Sequence, residues 1–193
     1  MSFKQYRAID LFIFIALYAG LEFLITKAAT GWFADDSIYF VSLMLPLLLI
    51  VAMRWDKYVL IQAVISGVLF PIYLGKANIK TILIYVIGNL GFSLIVLLFK
   101  RIDKEKIRKN LSWSIVYVLL GYLLMELFRG LAAIIIEGLG PSVIISYFAE
   151  DALTLVFTLF VVLIARKIDG LFMDQKKYLL DLHKSEEPDN FGS

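Results

Sequence analysis

Six stretches of this chain, residues 9–28, 37–53, 58–75, 79–99, 112–137 and 146–166, are apolar over about the length a bilayer demands. A crossing helix needs roughly 20 apolar residues, because hydrocarbon offers no partner to an open backbone. A 193-residue chain that is 61% hydrophobic, with a mean hydropathy of +0.83, holds more large apolar side chains than a soluble core of that size can hide. The expected fold is therefore an all-α integral membrane protein with six transmembrane helices. The run at 37–53 is short and contains Pro46, which predicts a kink or a re-entrant segment. The run at 58–75 ends near Pro71. The first run follows Lys4 and Arg7 but contains Asp10 and Glu22 and lacks a cleavage signature, so a retained span is expected.

The charge distribution predicts direction. With the N-terminus inside, 15 of the 19 Lys and Arg fall on the cytoplasmic side, the exceptions being Lys27, Lys76, Lys80 and Arg129. This asymmetry matches the positive-inside rule, so both termini are expected in the cytoplasm. Trp32 at the outer border, and Trp55 and Trp113 at the inner one, suit an aromatic belt. After Arg166 the tail spaces Leu171, Phe172, Tyr178, Leu179 and Leu182 at helical intervals, which predicts an amphipathic helix on the cytoplasmic leaflet. Residues 1–183 then form one transmembrane domain with its interfacial helix, and 184–193 are expected to be disordered.

With no cysteine, disulfides, thiolate metal sites and cysteine nucleophiles are excluded. The lone His183 lies in the polar tail, so no histidine site is expected inside the membrane. Neither a P-loop, an H-E-x-x-H nor a G-x-S-x-G motif occurs, and no long internal repeat is visible.

Polar residues within the spans are few and collect at one depth. In "YLLMELFRGLAAIIIEG" Glu126 and Arg129 are neighbours on one helix face, with Tyr122 a turn away and Glu137 about three turns on. Gly130 and Ala133 leave room beside that stripe. The sixth span opens with Glu150 and Asp151, followed by Thr154 and Thr158, while Glu22 and Asn89 come from the first and fourth spans. Asp10 and Gln62 are the exceptions, lying in the inner half. Charges within a membrane cost at least ~2.5–3.5 kcal/mol each and usually face a cavity or a partner. Two readings stand: an ion pair that fixes helix packing, and the wall of an outward-opening pocket. The acidic excess around Arg129 favours a ligand with a cationic or donor-rich part. Ala16 and Gly20 on the first span, and Ala63 and Gly67 on the third, repeat a small-xxx-small spacing that suits close helix approach, within the bundle or to another membrane protein.

With "IALYAGLEF" in the first span, "LPLLLIVAMRWDKYVLIQAVISGVLF", "LIYVIGNLGFSLIVLLF" and "DALTLVFTLFVVLIARKIDGLFMDQKKYLL", most of the chain resembles the substrate-binding S components of energy-coupling factor (ECF) type ABC transporters. Gly20 stands where that family's A-x-x-x-A motif has its second alanine. The resemblance implies the binding subunit of an ATP-driven importer of a vitamin or vitamin-like micronutrient, with its ligand in an outward-facing cavity. It implies docking through the small-residue face onto a transmembrane coupling subunit, two separate ATPase subunits, and toppling in the cell membrane. The loop "GWFADDSIYF" and the turn "PIYLGKANIK" would be lid elements, whose Trp32, Phe33 and Tyr73 would either stack on a flat ligand or anchor at the interface. The candidate substrate-binding residues are thus Tyr122, Glu126, Arg129, Glu137, Glu150, Asp151, Asn89 and Trp32. Ala16, Gly20, Ala63 and Gly67 are the candidate docking residues. No catalytic residue, metal or cofactor is expected, and nothing points to nucleic acid. The alternatives are a glutamate-dependent intramembrane hydrolase, which "MELFRG" suits poorly for want of an intramembrane histidine, and a structural or assembly protein.

Overall fold

A computed structural model describes residues 2–32 and 41–186, with side chains described for 2–29 and 41–181. All regular structure among the described residues is helical. The order is α1 (Phe3–Trp32), α2 (Met44–Trp55), a 3-10 turn (Asp56–Tyr58), α3 (Val59–Tyr73), α4 (Ile79–Phe92), α5 (Leu94–Leu98), α6 (Lys104–Lys109), α7 (Leu111–Glu137), α8 (Val143–Glu150), α9 (Ala152–Ala165) and α10 (Gln175–Glu186).

Three helices are long and apolar enough to cross a membrane alone: Phe3–Ala29 within α1, Ile79–Leu98 across α4 and α5, and α7. The pair α8 and α9, bent by 45°, makes a fourth if read as one span. Their outward faces are apolar. On α7 the stripe Leu123, Leu127, Leu131 and Ile135 is exposed, and Ile135 is 82% accessible. Water would disfavour such a surface, whereas lipid would not. The protein is therefore an all-helical protein with three to four helices suited to span a bilayer.

The core forms around α2, all of whose residues are buried. Pro46 does not kink it. It stands in the first turn, where a backbone N–H has no intrahelical acceptor in any case, so the missing donor costs nothing. Three donors at this buried end meet side-chain oxygens. Leu43 N–H donates to Glu22 Oε2 of α1 (2.7 Å), Met44 N–H to Ser42 Oγ (3.0 Å), and Ser42 N–H to Thr154 Oγ1 of α9 (3.1 Å).

The other end of α2 is tied by the opposite charge. Arg54 donates to both oxygens of Asp10 (2.8 and 2.7 Å) and to the carbonyls of Gly170 and Leu171. Trp55 Nε1 also donates to Asp10 (2.5 Å). Trp55 is thus a buried residue and not a membrane-belt anchor. Trp113 is half-buried against Phe99. A carboxylate at the N-terminus and a guanidinium at the C-terminus both complement the helix dipole. Glu22 and Asp10 lie twelve positions apart on α1, about 18 Å, which is the length of the 12-residue α2. The two helices are antiparallel, and α1 clamps α2 at both ends.

Small residues set the other seams. Between α3 and α4, a Cβ on Gly67 would come within 2.7 Å of the Val86 Cα. Between α4 and α7, Gly91 lies against Phe128 and Gly121 against Phe92. The chain after α9 departs from the predicted continuous amphipathic helix. Gly170 turns it at positive φ, Phe172 is driven into the core against Tyr117, and α10 begins only at Gln175. At this end Lys104 pairs with Asp56 (2.7 Å) and Asp174 (3.1 Å). In α6, hydrogen bonds from Arg108 hold the Glu105 carboxyl below its ordinary value.

Candidate functional site: a buried ion cluster at the centre of the bundle

Four of the predicted residues meet. Arg129, on the inward face of α7, is fully buried, and its guanidinium reaches three other elements. Nη1 donates to Glu126 Oε1 one turn back (2.8 Å) and pairs with Asp151 Oδ2. Nη2 faces Asn89 Oδ1 of α4 (3.3 Å) and Met44 Sδ of α2 (3.6 Å), and the group lies 4.6 Å from the ring centre of Tyr85. Asp151 is the residue at which α8 gives way to α9, so the bend carries the second carboxylate into the bundle.

Asn89 links this cluster to α3. Its amide donates to Ser66 Oγ (3.0 Å), the Ala63 carbonyl (3.2 Å) and Met44 Sδ (2.9 Å), and Tyr18 of α1 donates to the Ser66 carbonyl (3.3 Å). Gly88 makes the geometry possible, because a Cβ there would occupy the space of the Arg129 Cγ. Gly88, Tyr85, Met44, Ser66 and Ser42 are not legible as partners of this cluster in the sequence. An arginine on a neighbouring helix is invisible from Gly88's own surroundings in the chain, and a methionine in an apolar run reads as core.

The cluster is not saturated. Glu126 Oε2, Arg129 Nε and Glu22 Oε1 are buried and have no hydrogen-bond partner among the described residues. Gln62, the inner polar residue of α3, likewise has both amide atoms unpartnered.

The other candidates lie elsewhere. The Tyr122 hydroxyl donates to the Phe148 carbonyl (2.5 Å), which ties α7 to α8. Glu137 is the exposed last residue of α7, followed by Gly138 as its left-handed cap, and does not reach Arg129. Glu150 is half-buried with no hydrogen bond or ion pair to the cluster. The side chain of Trp32 lies outside the described residues, as do Phe33 and the rest of the loop through residue 40. Tyr73 packs edge-on against Phe23 of α1 (5.7 Å). The space expected beside Gly130 is filled, since a Cβ there would come within 2.9 Å of the Ile144 Cα of α8.

The two docking pairs also separate. Ala16 and Gly20 are exposed on α1, with no atom within 4 Å of a Cβ placed on Gly20. Ala63 and Gly67 are buried, so their small size serves packing within the bundle and leaves no surface for a partner.

Comparison of the chain with protein-family models, with curated proteins and with solved structures gave no match.

Proposed function

We propose that this chain is the membrane-embedded substrate-binding subunit of an ATP-driven importer of a vitamin-like micronutrient, resident in the cell membrane. In this reading α1, α2, α3, α4 with α5, α7, and α8 with α9 are six crossings, and both termini are cytoplasmic. The shortness of α2 is no objection, because its residues are all buried and lipid does not touch it. The observation that carries the reading is the set of unmet polar atoms around Arg129. Buried polar atoms are rarely left without partners, and the unmet Glu126 Oε2, on the carboxylate that holds Arg129, calls for a donor. A small molecule with a cationic or donor-rich group supplies it. The chain binds and does not catalyse, and a coupling subunit with two ATPases supplies the energy. The exposed Ala16 and Gly20 are the part of the docking face that remains.

A structural or assembly role is the second reading. It is favoured by Arg129 itself, which already holds two carboxylates and stands as a finished interhelical tie.

The test is purification of the tagged chain from its native membranes, with bound proteins and metabolites identified together. A bound small molecule that is lost in Glu126→Gln, together with a coupling subunit and ATPases that are lost in Gly20→Leu, supports the importer. A chain that carries neither overturns it.

A further inference from the structure

A second feature lies far from the ion cluster, where α7 begins and α9 ends. A groove of about 760 Å³ opens between these helices, and its rim is formed by Arg108, Lys109, Arg166 and Lys167. Its walls are Leu111, Phe160, Leu163, Ile164 and Ile168, and no acidic residue lines it. Phe160, Ile164 and Ile168 follow one another at i, i+4 and i+8 and are 64%, 62% and 48% accessible. The apolar wall is thus continuous with the outward face of a helix suited to span a bilayer.

The carboxylates nearby do not cancel the rim. Glu105 holds Arg108 (2.8 Å) and Lys109 (3.2 Å), and the solvent-exposed Asp169 reaches Arg108 at 3.6 Å. Four cations against these two acids leave a net positive edge. Arg166 is fixed in place by donating to the Lys109 carbonyl (2.6 Å), which closes the groove at the polar end. Lys167 is exposed, and its side chain has no ion pair or hydrogen bond among the described residues.

We infer that this groove binds an anionic phospholipid of the surrounding leaflet, its phosphate among Arg166, Lys167 and Lys109 and an acyl chain along Phe160, Ile164 and Ile168. The argument is charge complementarity at the right depth. A cationic rim directly above an apolar wall matches a molecule with an anionic head and a hydrocarbon tail, and basic pockets at helix ends are where membrane proteins hold such lipids. A soluble anion would use the rim and leave the wall empty. A zwitterionic lipid would use the wall and gain little from the rim.

The experiment reconstitutes the full chain in nanodiscs of phosphatidylcholine with a minor fraction of phosphatidylglycerol, and measures the lipids that remain after transfer to detergent by native mass spectrometry. Phosphatidylglycerol should be enriched over its bulk fraction, with the enrichment falling as salt is raised. Lys167→Gln, at a solvated position that does not threaten folding, should reduce retention by roughly fivefold, the change expected for removing one cation near an anionic surface. Lys176→Gln on α10, which makes the same charge change away from the groove, should leave it within twofold. Equal retention of both lipids by the wild-type protein would overturn the inference. So would equal losses in the two variants, which would reveal only a general attraction of a basic surface. These readouts do not involve the transported molecule, so they stand or fall apart from the importer.

Discussion

A fully buried guanidinium is the most expensive group in this bundle, and its surroundings show how it is kept. Arg129 is held by Glu126 and Asp151, and removal of the cation strands two carboxylates in an apolar interior. Breaking a buried pair in this way costs about 3–5 kcal/mol. Arg129→Ala should therefore lower the thermal midpoint in detergent sharply, whereas Glu137→Ala, at the exposed end of the same helix, should leave it unchanged. Gly88→Ala is the finer test. Its methyl group enters the space of the Arg129 Cγ and should cost about 1–3 kcal/mol, as overpacking does. A thermal midpoint equal to that of wild type would mean that the α4–α7 seam is looser than described. At this scale the sequence was legible where chemistry is rare: three charges in an apolar helix are conspicuous, and helical phase placed Glu126 beside Arg129. It was illegible where the partner arrives through tertiary folding. The reach of Asp151 depends on the bend between α8 and α9, and the absence of Glu137 from the cluster follows from its place at the exposed, capped end of α7.

Among the elements, α2 explains two charges of α1: Glu22, which the sequence groups with the outer polar residues, and Asp10, an exception in the inner half. Glu22 caps its N-terminus and Asp10 holds the arginine at its C-terminus, so part of the intramembrane charge of α1 is consumed in fixing a short buried helix. Ala substitution at a capping position typically costs about 1 kcal/mol, and a dipole-aligned, partly buried charge contributes up to ~2. Glu22→Ala should accordingly speed amide hydrogen exchange at Leu43 and Met44, while the amides of Val51 to Met53 at the far end stay protected. Uniform exchange along α2 would show that packing alone holds it. Apolar periodicity located this element only roughly, as 37–53 against Met44–Trp55, because a helix buried on every side has no polar face to set its phase. The same limit applies after α9. Leu171 and Phe172 fit a helical period with Tyr178 and Leu179, yet Gly170 breaks the helix and sends Phe172 inward.

For the whole molecule, the distribution of basic residues makes a claim that geometry alone leaves open. Arg54, Lys104, Arg108 and Arg166 gather at the end of the bundle where α1 begins, and the α3–α4 turn with Lys76 lies at the other. If lipid surrounds the apolar stripes of α1, α7 and α9, the end rich in cations faces the cytoplasm. The chain has no cysteine, so single cysteines can be introduced without a background. In intact cells a membrane-impermeant maleimide should label Asn78→Cys, in the turn that caps α4, and Gly140→Cys, beyond the end of α7. It should leave Lys57→Cys, between α2 and α3, and Lys109→Cys, before α7, unlabelled until the membrane is permeabilised. This pattern requires α2 and α3 to cross as a pair in spite of their 12 and 15 residues, since Lys57 and Asn78 must end on opposite sides. Labelling of Lys57→Cys together with Asn78→Cys would make that hairpin re-entrant. The count would then fall from six to four, α1, α4 with α5, α7, and α8 with α9, and because two crossings are lost together the two termini would still lie on one side.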